Sequence, residues 1–454
     1  MNIKNGNSLD MLKEIKSDSV DCMVTDPPYG ISFMNKNWDK AVPDIAIWKE
    51  CLGVMKPGAF AFVMCSPRSD VQAEMVIKLK EAGFQVNYSP AYWCYLSGFP
   101  KAMNISKAVD RKLGYEREII SGSSKDTQYS GKFDQKSSTE RIKLGLPISE
   151  EAKRLDGSYA GIQMKPAVEV ILVAMKPLSE KTYVDQALKN GKGITWLDDG
   201  RIPYQSDDDF ESRKRGMLKS PPHGRNGIYG VDKNDGIINT DQYLNKSGRF
   251  PANLLVSDNI LDNGIKTSRT HYSNHNTDGY GGYRQHGMID ENKTDYSLDD
   301  GNDFSRYFSL DAWYSKNIEE LPDYAQRIFP FLYAPKASNS ERSEGLNTFE
   351  ERTVNDGRKK DTDNPFQRGK TPRKNIHPTV KPLKLMSYLV TIGSRPGDTI
   401  LDPFMGSGTT GVAAKILHRN FIGFEIEGKY FEIAQQRIEN KVAKGSITEF
   451  EEEE

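Results

Sequence analysis

Two stretches of the 454-residue chain combine residue types and spacing suited to chemistry. The first is Asp26-Pro27-Pro28-Tyr29-Gly30, which cuts off the apolar run Val20 to Thr25. That run has the length and composition of a buried parallel strand. Prolines and glycine often do no more than end a strand, but the carboxyl ends of strands are also where open α/β sheets bind ligands. Turn and site therefore both stand open on these residues alone. The second stretch, "LDPFMGSGTTGVAA", holds Gly406, Gly408 and Gly411 in GxGxxG spacing between an expected strand and helix. Glu425 closes the next expected strand, about twenty residues on.

That spacing fits a dinucleotide site, in which glycines admit a pyrophosphate and the acid holds ribose hydroxyls. An NAD-dependent oxidoreductase is thus one reading, on a weak signal. Against it, only about thirty residues follow Glu425, too few for further βαβ units and a catalytic domain. Asp402-Pro403-Phe404 also sets a carboxylate ahead of the glycines, which suits a cationic or amino-bearing ligand better than a pyrophosphate. S-adenosylmethionine, a sulfonium with an α-amino group and no phosphate, is such a ligand. The loop lacks the GK[ST] of a phosphate-cradling P-loop.

The elements that must position these residues lie at both ends of the chain. "SVDCMVTD", "GAFAFVMC", "NYSPAYWCYL" and "AVEVILVAM" read as strands, residues 44–55 and 68–82 have helical apolar spacing, and "KPG" (56–58) reads as a turn. The polar tract 121–138 reads as a loop. From about 177 to 370, strand-sized pieces ("GITWLD", "ANLLVSD", "FPFLYAP") are separated by long polar tracts. One of these, 271–287, holds three of the six histidines, but without metal-ligand spacing, so no metal site is expected. Towards the C-terminus "DTILD" and "RNFIGFEIE" read as strands and "GKYFEIAQQRIENKVAKG" as a helix, before an acidic tail, 446–454. The expected organisation is α/β halves at 1–176 and 371–445 that build one parallel sheet around an insertion at 177–370.

The bulk composition allows this. Mass is 51.2 kDa and mean hydropathy −0.65, polar enough for long solvated segments beside a large core. Lysine and arginine (62) nearly cancel aspartate and glutamate (63), so overall charge announces no nucleic-acid partner. Cys22, Cys51, Cys65 and Cys94 sit in or beside apolar runs without CxxC spacing, as buried free thiols of a cytoplasmic protein would. No apolar stretch approaches the roughly 20 residues of a membrane span, and the N-terminus has no signal-peptide core.

"DPPY" (26–29), "HPTVKP" (377–382) and "DPFMGSGTT" (402–410), in that order, resemble the β-class amino DNA methyltransferases, in which the catalytic motif precedes the cofactor motif. "SGFPKAMNISKAVD", "KPAVEVILVAMKPL", "GRFPANLL" and "LYAPKASNSER" are similar to a phage- and mobile-element-type branch of adenine-specific methylases. The resemblance runs from Met1 to about Lys441 and is weakest at 115–160 and 205–320. It implies a circularly permuted, Rossmann-like class I methyltransferase sheet with a large inserted target-recognition region. It implies S-adenosylmethionine as cofactor, with Asp402, Phe404, Gly406 and Gly408 lining its methionine end, Glu425 at its ribose, and Pro403, Ser407 and Thr409 also binding it. His377, Thr379 and Lys381 would help close over it, with Asp26 alongside. Where the family shows Gly-Asp for the adenine amino group, this chain has Gly6-Asn7, whose amide oxygen accepts the same hydrogen bond without charge.

On that resemblance, the first motif makes chemical sense. An exocyclic amino nitrogen is a poor nucleophile, because its lone pair is delocalised into the ring. Acceptors against its hydrogens stabilise the positive charge that develops as a methyl group arrives. Asp26 offers a carboxylate and Pro27 a carbonyl stiffened by its own ring and by Pro28. Tyr29 offers a face for a base to stack on. The target atom is unreachable in a duplex, so the base must be flipped out. Methylation at cytosine carbon 5 would need a Pro-Cys dipeptide, which is absent. An Asp-first motif leans to adenine N6, with cytosine N4 as the alternative. An inactive DNA-binding protein on the same fold, or a methylase of RNA or protein amides, are further alternatives that intact motifs at both ends and the long insertion count against.

Double-stranded DNA is the expected partner. Residues 358–374 carry seven basic and two acidic side chains, among them Arg358, Lys359, Lys360, Arg368 and Lys370. Arg213, Lys214, Arg215, Lys219 and Arg225 form a second basic run. Inside a target-recognition region both are expected to contact phosphates, although charge runs are commonly just solvated faces. The resemblance also admits a second copy of the chain and a cognate restriction endonuclease as partners.

Overall fold

The computed structural model describes residues 1–31, 39–94, 103–117, 146–161, 168–204, 206–211, 245–256, 309–317, 339–346, 349–354 and 371–440. Two compact units are present, one of residues 1–97 and 168–454 and one of 98–167. These divide the chain differently from the three segments expected at 1–176, 177–370 and 371–445. The described strand Leu254–Val256, within 177–370, belongs to the main sheet.

The first unit is built on an eight-stranded sheet. Its strands in chain order are β1 (Asn2–Asn5), β2 (Val20–Thr25), β3 (Met55–Cys65), β4 (Ala91–Cys94), β5 (Val168–Met175), β6 (Leu254–Val256), β9 (Thr399–Asp402) and β10 (Asn420–Glu425). A separate antiparallel pair, β7 (Arg352–Val354) and β8 (Thr371–Arg373), stands apart from it. The sheet order is β1-β10-β9-β2-β3-β5-β4-β6, and every neighbouring pair is parallel except the two made by β5. All six residues of β2 are buried, as its apolar sequence requires of a strand covered on both faces.

Helices cover both faces. On one lie α1 (Ser8–Leu12), α2 (Ile45–Val54) and α3 (Ser69–Ala82), whose Leu12, Trp48, Cys51, Met75 and Leu79 pack with Ala61 and Val63 of β3. Phe60, Phe62 and Met64, the alternate residues of β3, point into the opposite core, with the period-two alternation of a strand. Further along the chain come α4 (Ile105–Lys112) and α5 (Glu150–Arg154) in the second unit, then α6 (Tyr183–Asn190), α7 (Leu310–Asn317), α8 (Asn339–Ser343), α9 (Leu383–Gly393), α10 (Thr409–Ile416) and α11 (Gly428–Glu439). Side chains of α7, α9, α10 and α11 fill the core that receives Phe60, Phe62 and Met64. Local signals start and stop several of these helices. Asp44 caps the first N–H groups of α2, and Gly83 ends α3 in the left-handed region.

This topology fixes where a ligand can sit. From β9 the chain crosses through α10 to β10, towards one edge, whereas from β2 it crosses through α2 to β3, towards the other. The direction reverses between β9 and β2, and the crevice at the carboxyl ends of those strands is the switch point of an open α/β sheet. Asp402 ends β9 and Asp26 follows β2 there.

Two expectations are corrected. Lys56-Pro57-Gly58 is not a turn before β3 but lies within it, where the register with β2 slips from Val20↔Met55 to Cys22↔Phe60. The extra residues form a bulge opposite Asp21, and bulges are where a strand tolerates proline and glycine. Residues 193–198, "GITWLD", form no strand. The Trp196 N–H bonds instead to the carbonyl of Ile392 at the end of α9, and Asp199 turns back onto Trp196. The tracts 121–138 and 271–287, "FPFLYAP" and the acidic tail lie outside the described residues. Of the cysteines, Cys22, Cys51 and Cys65 are buried free thiols, whereas Cys94 at the end of β4 is half-buried. Among the described residues no helix is long and apolar enough to cross a membrane, and no cluster of His, Cys, Asp or Glu could hold a metal ion.

The second unit is held by one carboxylate. Asp110, buried on α4, accepts hydrogen bonds from Arg117, from the backbone of Ile148 and Ser149, and from the Ser149 hydroxyl. Burial would raise its pKa, but these donors outweigh that and hold it well below the usual carboxylate range.

Candidate active site

Asp26 stands just past the end of β2, and each of its carboxylate oxygens has a protein donor. The Tyr29 hydroxyl donates to Oδ1 at 2.7 Å, and the Lys381 ammonium contacts Oδ2. Lys381 also lies 3.4 Å from Oε2 of Glu169 and 5.6 Å from the centre of the Tyr29 ring. Glu169 belongs to β5, which runs antiparallel to β3, so its first residues lie at the end of the sheet where the parallel strands finish. Two carboxylates thus share one ammonium, all largely out of water. Burial and Glu169 raise the Asp26 pKa against the opposing pull of Lys381 and Tyr29. Burial alone would discharge Lys381, but Asp26 and Glu169 raise its pKa, so it is charged at neutral pH. The backbone after Asp26 is pinned by Asp39, which accepts from the N–H of Tyr29 at 2.7 Å and of Gly30 at 3.1 Å. Pro27 is buried and Pro28 half-buried beside it.

Asp402 is 2% exposed and works inward. It accepts from Thr25 Oγ1 and Thr410 Oγ1, both at 2.7 Å, and from the Phe404 N–H at 3.1 Å. Burial pushes its pKa up to about 6 despite these bonds. The carboxylate therefore ties the end of β2, the start of α10 and the turn between them into one piece. Phe404 packs edge-on against Trp48 of α2, with ring centroids 5.8 Å apart. The carbonyl of Pro403 accepts from the Ser8 hydroxyl at 2.5 Å, which docks α1 onto the loop.

The glycine loop turns because its residues allow it. Gly406 and Gly408 have φ of +55° and +79°, the left-handed region that other residues enter only at a cost. A Cβ on Gly406 would stand 3.0 Å from His377 Nε2, and one on Gly408 would stand 3.0 Å from Ala434 of α11. The Gly406 N–H donates to Glu425 Oε2 at 2.8 Å, and the Glu427 N–H donates to Oε1 at 2.9 Å. Each oxygen of Glu425 keeps a lone pair for a ligand hydroxyl. Burial pushes the Glu425 pKa up to about 7, against those two backbone donors. Asn7 is brought beside it, because Gly6 donates to the Glu425 carbonyl at 3.0 Å, but the Asn7 amide oxygen caps α1 by accepting from Leu9 at 2.9 Å.

The "HPTVKP" segment is anchored from α8. Arg342 donates to the His377 carbonyl, and Asn375 bonds both the Arg342 carbonyl and the His377 N–H. The His377 ring meets Tyr430 edge-on at 4.5 Å, and its Nδ1 accepts from the Thr379 N–H at 3.3 Å. Burial first, then Arg342, Lys381 and Arg437, hold its pKa down at about 3, so the imidazole is neutral.

The structure thus brings the three motifs to one crevice: Asp26 and Tyr29 with Lys381, Thr25 with Asp402, and His377 with Gly406. Ser407 and Thr409 also bond to the helix behind the loop. The Ser407 carbonyl and hydroxyl and the Thr409 hydroxyl all face the buried Arg437 of α11, at 2.6, 3.1 and 3.2 Å. Glu169, Arg342, Asn375 and Arg437 carry structural or electrostatic weight here that sequence reasoning did not assign. For Glu169 a signal existed, a lone acid in the otherwise apolar strand "AVEVILVAM". Arg213, Lys214, Arg215, Lys219, Arg225, Arg358, Lys359, Lys360, Arg368 and Lys370 lie outside the described residues.

A doubly wound sheet whose switch point holds a carboxylate-tethered glycine loop, an acid at the end of the next strand and a partly buried acid–tyrosine–lysine cluster defines a Rossmann-like methyltransferase fold. Within that class the chain belongs to the N6/N4 DNA methylase family, which matches residues 20–436. The type II methyltransferase M2.DpnII of Streptococcus pneumoniae is 52% identical over 63 residues, which are 14% of this chain and 24% of that protein. The type II methyltransferase M.HinfI of Haemophilus influenzae is 48% identical over 65 residues, 14% of this chain and 18% of that protein. The chain therefore matches about a quarter or less of the length of these relatives. Among solved structures, the PvuII cytosine-N4-specific DNA methyltransferase aligns over 96% of this chain and 85% of its own, at 13% identity and a TM-score of 0.37.

Proposed function

We propose that the protein transfers a methyl group from S-adenosylmethionine to the N6 amino group of an adenine flipped out of duplex DNA, as a β-class enzyme with its catalytic motif ahead of its cofactor motif. The observation that carries this reading is the pairing of a half-buried, ion-paired acid, Asp26, with a cofactor-type glycine loop across one switch point, in a chain of the N6/N4 DNA methylase family. The residues present fit the cofactor. Glu425 has one free lone pair on each oxygen for the ribose hydroxyls, and Gly406 and Gly408 let the loop turn tightly against His377 and Ala434. Phe404 and the tethered turn above Asp402 would line the methionine end, with His377 and Thr379 over the loop. When bound, S-adenosylmethionine supplies a methyl group on a sulfonium, whose S–C bonding pair stays on sulfur.

The chain's own part is to make an amino nitrogen nucleophilic. Asp26 accepts from the amino group, counters the positive charge that grows on nitrogen, and takes up the proton released there. The Pro27 carbonyl is the second acceptor, and Tyr29 holds the base by stacking. Residues 213–225 and 358–374 would neutralise phosphates, and a cognate restriction endonuclease in the cytoplasm would be a fitting partner for such an enzyme. Mass spectrometry of nucleosides from DNA treated with the protein and S-adenosylmethionine tests the reading. N6-methyladenine is expected; N4-methylcytosine as the sole product would overturn the choice of base, and unmodified DNA would overturn the activity.

A further inference from the structure

The Asp26 carboxylate is already occupied by a nitrogen cation. The Lys381 ammonium contacts Oδ2, a hydrogen-bond donor on nitrogen set against the acid that must receive a substrate amino group. Near the Tyr29 ring, the same ammonium lies over the face proposed to stack the base. Oδ1 is taken by the Tyr29 hydroxyl. An amino group arriving at Asp26 therefore competes with a full positive charge for the one acid that would activate it.

Glu169 offers the ammonium another seat. Its Oε2 is 3.4 Å from Lys381 Nζ, and a charge-assisted hydrogen bond of about 2.8 Å is within a small swing of the terminal methylene of the lysine. Glu169 is as buried as Lys381, so the move trades one low-dielectric partner for another without bringing the charge into water. The Tyr29 hydroxyl bridges the same two carboxylates, 2.7 Å from Asp26 and 3.3 Å from Glu169.

We propose that Lys381 is a placeholder for the target amino group and that Glu169 is the positioning residue onto which it swings when that group enters. This rests on the proposed amino methylation. Glu169 acts through Lys381, with the Tyr29 hydroxyl as a longer second contact at 3.3 Å. Before substrate enters, the ion pair favours the ionised form of Asp26, against the burial that raises its pKa. Once Lys381 has moved to Glu169, Asp26 faces the amino group with its charge uncompensated by the lysine.

A double-mutant cycle tests this, with single-turnover transfer of labelled methyl from S-adenosylmethionine to genomic DNA of a host without adenine methylation. The assay is run at alkaline pH so that Asp26 is ionised in every variant. Glu169→Gln should slow transfer about ten- to hundredfold, the scale of one lost preorganised electrostatic partner. Calorimetric affinity for S-adenosylmethionine should stay within about threefold, which shows that the loss follows cofactor binding. In a Lys381→Met background, slower in itself, the same Glu169→Gln change should cost less than about threefold, because no ammonium remains to be moved. If Glu169→Gln fails to fold, Glu169→Asp keeps the charge, withdraws it by one methylene, and should show the same dependence on Lys381. Losses that add in the double variant, or a Glu169→Gln protein as fast as wild type, would overturn the placeholder while leaving the methylase reading intact. A wild-type protein that methylates no DNA in this assay would overturn both.

Discussion

Replacing Glu425 by glutamine is expected to weaken S-adenosylmethionine binding and to flatten its dependence on pH. The carboxylate is 8% exposed and already accepts one backbone N–H on each oxygen, from Gly406 at 2.8 Å and Glu427 at 2.9 Å. A ribose hydroxyl on each remaining lone pair would contribute about 1.5–3 kcal/mol, as hydrogen bonds to charged groups do. Glutamine keeps one acceptor oxygen and turns an NH2 group towards a backbone donor, so at least one of those bonds is lost. The dissociation constant should then rise about ten- to 150-fold. Burial pushes the Glu425 pKa up to about 7 in the cofactor-free protein. Hydroxyl donors favour the ionised form and so lower that pKa on binding, and a proton is released wherever the free protein still holds it. Affinity should therefore climb as pH rises towards 7, by up to about tenfold per unit, and level off above it. Calorimetry on both sides of that pH reads the slope and the plateau, and the Glu425→Gln protein should show neither the climb nor the wild-type plateau. Wild-type affinity that is flat through pH 7, together with an unweakened Glu425→Gln protein, would refute the ribose role.

Two further tests bear on the scaffold and on the DNA surface. Asp402→Ala strips the acceptor from Thr25, Thr410 and the Phe404 N–H, all held at 2.7–3.1 Å in a buried site. At about 1 kcal/mol or more for each unsatisfied group, urea unfolding should show a loss of about 3 kcal/mol, with Asp402→Asn losing less; a variant as stable as wild type would mean that the tether is dispensable. Neutralising Arg358, Lys359, Lys360, Arg368 and Lys370 should weaken binding to every DNA sequence and reduce the log–log salt slope by about 0.9 for each phosphate that these side chains no longer neutralise. An unchanged slope would make that segment a merely charged surface.

Much of the sheet could be read directly from apolar runs and their punctuation, because buried parallel strands such as Val20–Thr25 carry a strong local signal. The same holds for α2 and α3, whose apolar spacing and end residues agree with their observed bounds. Local rules failed where tertiary pairing overrides them. Pro57 and Gly58 look like a turn but lie in a bulge that β2 and β5 hold within the strand. "GITWLD" has strand-like residues, yet its Trp196 N–H is spent on the end of α9 rather than on a neighbouring strand. The site was legible as three motifs, yet not as a set of contacts. That Lys381 meets Asp26 depends on α9 following directly from "HPTVKP" beneath the switch point. That Glu169 joins them depends on β5 running against its neighbours, a direction no local pattern encodes. Nor does any local pattern encode the buried arginine thirty residues downstream of Ser407 that bonds the Ser407 carbonyl and the Thr409 hydroxyl.

The most direct test is single-turnover methylation by Asp26 variants whose cofactor affinity is measured alongside. Asp26 follows β2, whereas the groups proposed to hold the cofactor come mainly from β9, β10, the loop between them and the HPTVKP segment. Asp26→Ala should therefore keep S-adenosylmethionine affinity within a few-fold of wild type. Methyl transfer to adenine N6 should fall below detection in that variant. Asp26→Asn keeps one acceptor oxygen without the charge and should retain activity lowered by about 10²–10³-fold. An Asp26→Ala protein that methylates DNA at the wild-type rate would contradict the assignment of Asp26 as the acid that activates the amino group, and would leave DPPYG as a turn at the end of a strand.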